Sequence, residues 1–139
     1  MRTEAAIILT LALSGASFHD LRERRIPNAI TGCAAVLLLG VASTGGPVAV
    51  ANNVAMALLV GAAPGVLHLI DGDAMGGGDV KLAVVIGLAE GQFGLVALVV
   101  GCCLGLCWVW VSRVFGRRLL EVPLAPFLSA GALAGGLMA

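Results

Sequence analysis

The chain has no tyrosine, and its aromatic residues are four Phe and two Trp, too few for the aromatic girdles of a membrane barrel. No run of alternating apolar and polar residues occurs, which removes barrel strands altogether. Charge is equally scarce. Asp, Glu, Lys and Arg make up 12% of the residues, against about 25% in soluble domains, so too little polar surface exists to solvate a globular fold. The net charge is zero, giving nucleic acid nothing to bind. There is no internal repeat, low-complexity tract or long linker. The four cysteines, Cys33, Cys102, Cys103 and Cys107, form no C-x-x-C pair and have no His at ligand spacing. They read as small apolar packing residues, and neither a metal nor a cofactor is expected.

What fills the chain is Ala, Val, Leu, Ile and Gly. Sixty per cent of the 139 residues are hydrophobic, and the mean hydropathy is +1.06. Small and aliphatic residues in this proportion suit helices packed closely in lipid. The pairs Gly61/Gly65, Gly87/Gly91, Gly101/Gly105 and Gly131/Gly135 have the small-x-x-x-small spacing of close helix contacts. Apolar runs cover 5–18, 29–43, 48–70, 80–89, 94–112 and 123–138. The expectation is an all-α integral membrane protein, a bundle of about six transmembrane helices in one domain over residues 1–139, with no separate soluble domain. The fourth run is short of the ~20 residues of a full span and suits a re-entrant piece as well.

If all six cross, the connections 19–28, 71–79 and 113–122 share one side of the membrane, and both chain ends lie on the other. Seven of the eight Lys and Arg (Arg22, Arg24, Arg25, Lys81, Arg113, Arg117, Arg118) fall at that first set, and only Arg2 opposes them. By the positive-inside rule those connections are cytoplasmic and the termini outside. The rule also opposes reading Arg2 and the first apolar run as a cleaved signal peptide, which would send Arg22, Arg24 and Arg25 outward.

The acids divide by position. Glu4, Glu23, Glu90 and Glu121 fall in connections or near the chain start, where a solvated carboxylate is the default, and Asp71 and Asp73 read as solvated loop acids, with attraction of a basic leader as the alternative. His19 and His68, isolated near segment ends, are assigned no role, and Trp108 and Trp110 fit an interfacial belt. Asp20 ends the first segment and Asp79 opens the fourth, so two acids reach the same cytoplasmic depth. Ionisable groups at the hydrocarbon edge are partnered or functional. Two facing carboxyls share a single proton, an acid and a base at one place, as in aspartic proteases.

Each acid has a distinctive neighbourhood. Gly76, Gly77 and Gly78 precede Asp79, and their expected service is positive φ and a backbone without walls, beside which an extended substrate strand can lie. Taken alone, a flexible turn with Asp as N-cap explains the same residues. After Asp20 comes a basic loop and then Ile26-Pro27-Asn28, where Pro27 restarts a helix and Asn28 is available to bond free backbone groups.

Together these residues resemble the type IV prepilin peptidase family. Asp20, Ile26, Pro27 and Asn28 match D-x-x-x-x-x-I-P-N, and Gly76, Gly78, Asp79, Lys81 and Leu82 match G-x-G-D-x-K-L. Pro123, Pro126, Phe127 and Leu128 are similar to the family's P-x-x-P-F-L before the last span. The resemblance implies a membrane-embedded aspartic endopeptidase of the bacterial inner membrane. It implies removal of the short basic leader of pilin-like precursors at the cytoplasmic face, with Asp20 and Asp79 as the catalytic pair. Gly76, Gly77, Gly78, Pro27 and Asn28 would support the substrate site; Lys81 matches the motif's basic residue without an implied role. Larger members carry a four-cysteine, zinc-binding loop and methylate the new N-terminus. The sequence lacks those cysteines, so peptidase activity without a methyltransferase domain is expected, most similar to the short peptidases of tight-adherence (Flp) pili. Archaeal preflagellin peptidases share the short form. Presenilin-like G-x-G-D proteases lack I-P-N, and a proton-coupled transporter or channel predicts acids deeper in the spans. A purely structural subunit leaves Asp20 and Asp79 unexplained.

Overall fold

The computed structural model describes residues 3–23, 26–70, 76–115 and 124–138. Among them there is no strand. Six α-helices run in order: α1 (Thr3–Glu23), α2 (Asn28–Ser43), α3 (Pro47–Ile70), α4 (Gly77–Glu90), α5 (Gly94–Val114) and α6 (Ala125–Met138), with a 3-10 turn over Gly91–Phe93 before α5. Two stretches, Pro47–Ile70 and Gly77–Val114, are long and apolar enough to cross a membrane by length and composition. The second is interrupted where Gly91, at φ 58°, closes α4, a conformation that costs glycine little. Helices α1 to α5 each contain one of the apolar runs, and α6 begins at Ala125 within the sixth. α1 continues through Asp20 to Glu23 because no breaker occurs before Pro27, whose extended backbone (φ −61°, ψ 129°) caps α2. Pro123, Glu121, Asp71, Asp73, Arg24, Arg25, Arg117 and Arg118 lie outside the described residues.

The fourth helix, the shortest apolar run, is the centre of the bundle. It touches α1, α2, α3, α5 and α6, and from Leu82 onward all but Val84 of its residues are buried. At 1.5 Å per residue its 14 residues extend about 21 Å, less than the ~30 Å hydrocarbon thickness. The other five helices pack against it. A helix apolar on every side belongs in such a position.

Glycines set the approach of its neighbours. Gly87 lies against the backbone of Met56 and Ala57 on α3, and Gly61 of α3 receives the Val84 side chain. The α5–α6 contact is built likewise: Gly101 meets the Leu128 backbone and Gly131 the Ala97 carbonyl, where even a methyl group collides. Gly61, Gly87, Gly101, Gly105, Gly131 and Gly135 therefore act at close helix contacts, whereas Gly91, past the end of α4, meets nothing and Gly65 makes an ordinary contact with Val80. The cysteines do not all pack inside: Cys33, Cys103 and Cys107 face outward, and only Cys102 is partly covered. Apolar side chains elsewhere on that exterior, such as Leu11, Val36, Val48 and Leu69, leave a cysteine there no more costly than a leucine.

Candidate active site

Asp79 is the third residue of α4, after Gly76 as N-cap. The Gly76 carbonyl accepts the first helical bonds, from the backbone N–H of Asp79 (3.0 Å) and Val80 (3.4 Å). In return the Gly76 N–H donates to the Asp79 carboxylate, a reciprocal closure like a capping box. The positive φ expected of the glycines is absent, and Gly76 stands at φ −65°. What they supply is room for the protein's own groups. A side chain at Gly76 would stand 3.1 Å from Asp79 Oδ2, one at Gly77 3.5 Å from His68 Nε2, and one at Gly78 3.1 Å from Ile26. The helix starts early enough to need helical backbone at 77 and 78, which removes the turn those glycines would otherwise form.

Asp20 reaches the same place from α1 and is buried, 8% exposed. Its Oδ2 accepts the backbone N–H of Ala125 at 3.2 Å, in the first turn of α6. That N–H is one of the donors a helix start leaves over, and Pro126 beside it has none to lose. One turn earlier, Ser17 and Ser129 hydrogen-bond at 2.8 Å and fix α6 against α1. Each carboxyl thus stands at the positive end of a helix, Asp79 at α4 and Asp20 at α6, which favours negative charge at this spot.

The two acids line one cavity of about 290 Å³ with Ile26, Asn28, Gly76, Gly77, Gly78 and Lys81. Their carboxyls are close enough for the charges to repel, so together they hold one proton more cheaply than none. Lys81 Nζ donates to Asn28 Oδ1 at 2.7 Å, joining the start of α2 to the first turns of α4. Asn28 therefore uses its side chain on Lys81 rather than on the free backbone of its own helix, which has no side-chain cap. Pro27 is placed next to the cavity as the α2 cap, without lining it. The cavity brings together seven of the eight residues singled out from the sequence: Asp20, Asp79, Gly76, Gly77, Gly78, Lys81 and Asn28.

Three contributions were not anticipated, one of them from the motif residue Ile26. The Ala125 N–H has no side-chain signature, although the prolines around it hinted at a helix start. Ile26 packs on Gly78, and His68 lies against Gly77; only the juxtaposition of two distant segments reveals either. No group of three metal-ligating side chains occurs among the described residues.

The model of a family described as the type IV leader peptidase family matches residues 7–110 of this chain, a span that contains Asp20, Ile26-Pro27-Asn28 and Asp79. No curated protein and no solved structure matches it.

Proposed function

This chain belongs to the type IV leader peptidase family, and from that premise we propose that it is a membrane-embedded aspartic endopeptidase with Asp20 and Asp79 as its catalytic pair. The observation that carries the assignment is the meeting of these two carboxyls, from separate helices, in one cavity walled by Gly76–Gly78 and Ile26. The ionised member takes a proton from water as the water oxygen bonds to the scissile carbonyl carbon, and the protonated member hydrogen-bonds the carbonyl oxygen. Collapse of the tetrahedral adduct breaks the C–N bond, and the leaving amine takes up a proton from the pair. One water is consumed and the dyad regains its single shared proton. No metal or cofactor takes part in this scheme.

The substrates are pilin-like precursors with a short basic leader and an apolar helix, and the short form suits Flp-type pili. The six helices cross the bacterial inner membrane as one peptidase domain, both termini outside, with the cavity at the cytoplasmic face. The apolar exterior, including Leu11, Val36, Val48 and Leu69, and the concentration of Lys and Arg at alternate connections support that placement. The test is purified protein in liposomes with a prepilin-like precursor, wild type against Asp20→Asn and Asp79→Asn. Loss of cleavage in both variants is expected; wild-type cleavage by either one overturns the dyad. Cysteine accessibility placing residues 76–79 outside would overturn the topology.

A further inference from the structure

A second cavity, of about 420 Å³, lies between α2 and α4, and it shares Asn28 and Lys81 with the carboxylate cavity. Its remaining wall is apolar or small, with Gly32 and Ala35 on α2 facing Val80, Val84 and Val85 on α4. The hydroxyl of Thr31, also in the wall, is already spent on the Asn28 carbonyl at 3.3 Å. The occupant must therefore be apolar. The α4 side is stiff, since valine is restricted at χ1 and Val84 is seated on Gly61 of α3. The α2 side is open: no atom lies within 4 Å of where a Gly32 side chain would begin. A wall of small residues beside a rigid apolar ridge lets another helix approach closely, and in lipid only a segment with its own backbone bonds satisfied can lie there.

Charge gives the direction. The Lys81–Asn28 bridge stands where the two cavities join, and an ammonium there repels a basic leader and tolerates an apolar helix. We infer that the α2–α4 groove receives the apolar helix that follows the scissile bond of the precursor. The chain then passes the Lys81–Asn28 bridge into the cavity of Asp20 and Asp79, while the basic leader leaves on the side away from Lys81. This inference rests on the peptidase reading and assigns the surface that holds its substrate.

The test compares precursor cleavage in liposomes by wild type, Gly32→Phe, which fills the groove, and Leu133→Phe, an exposed position on α6 remote from both cavities. The expected result is a KM raised at least about tenfold by Gly32→Phe with kcat within about threefold, and no change for Leu133→Phe, since the blocked groove affects binding more than chemistry. A wild-type KM for Gly32→Phe overturns the groove and leaves the dyad standing; an inactive wild type overturns the peptidase reading beneath it. A second measurement holds even if Gly32→Phe misfolds. With Cys33, Cys102, Cys103 and Cys107 changed to Ser and Asp79→Asn preventing turnover, Gly32→Cys is expected to form a disulfide with a cysteine in the first two turns after the scissile bond. Leu133→Cys is expected to form none. Linkage at 133 and not at 32 overturns the proposal.

Discussion

The two ends of α4 each carry an acid, and they are built oppositely. At the N-terminal end Asp79 has a backbone donor from Gly76, a second carboxyl opposite it and an open cavity. At the C-terminal end Glu90 is 5% exposed, neither of its oxygens has a hydrogen-bond partner among the described residues, and Gly135 of α6 closes over it. The helix dipole favours negative charge at the first position and opposes it at the second. Burial alone therefore does not identify a site. Proton chemistry needs a partner acid, donors for the ionised form and access to water, and only the Asp79 end has all three.

The largest effect in the contrast is at the Asp79 end. Asp20→Asn and Asp79→Asn are expected to lower kcat by roughly 10³-fold or more, in the range of general acid–base catalysis, with little change in thermal unfolding. Asn at position 20 keeps an oxygen for the Ala125 N–H, so a collapse of stability would mean that Asp20 holds α6 rather than a proton. Wild type should show a bell-shaped dependence of kcat/KM on pH, since both limbs belong to one coupled pair. Gly78→Val comes next. Its side chain enters the space held by Ile26, and separating Ile26-Pro27-Asn28 from α4 is expected to cost about tenfold or more in kcat/KM, consistent with misplacing groups near the chemistry. Lys81→Met removes the exposed bridge to Asn28 and is expected to cost no more than about tenfold, since a solvent-exposed bond is worth about as much as an ordinary neutral one, roughly 0.5–1.5 kcal/mol; Lys81→Arg should restore part of it. Precursor cleavage kinetics read all of these.

The helices were legible because apolar runs and Pro27 act through residues near one another in sequence, whereas Asp20 and Asp79, on α1 and α4, were paired by the flanking motif residues around each. Pro27 stands at the start of α2 as its N-cap, where a proline cannot continue the preceding helix. The positive φ expected at Gly76, Gly77 and Gly78 is absent because α4 begins at Gly77, and the contacts of Gly77 with His68 and of Gly78 with Ile26 were hidden because those residues come from other segments. Asn28 was expected to serve its own helix, and Lys81, 53 positions away, took it instead. Glu90 was read as a solvated carboxylate in a connection. That error is the most instructive, since the connection it ends belongs to the central helix, and centrality depends on how the other five helices pack rather than on the residues beside Glu90.

The smallest expected effect follows from that correction and is the sharpest test of the contrast. A carboxylate buried without hydrogen bonds is costly, and an unbranched apolar side chain of similar length can occupy its place. Glu90→Met should leave precursor cleavage within about twofold of wild type, and the apparent Tm in detergent should stay level or rise, because the buried acid it removes makes no hydrogen bond among the described residues. Glu90→Ala distinguishes filling from charge: it also removes the carboxylate but leaves a gap between α4 and α6, so its Tm should fall below that of Glu90→Met. If Glu90→Met instead abolishes cleavage in a protein that still unfolds cooperatively at the wild-type temperature, the two ends of α4 are coupled, and the acid at the closed end belongs to the mechanism.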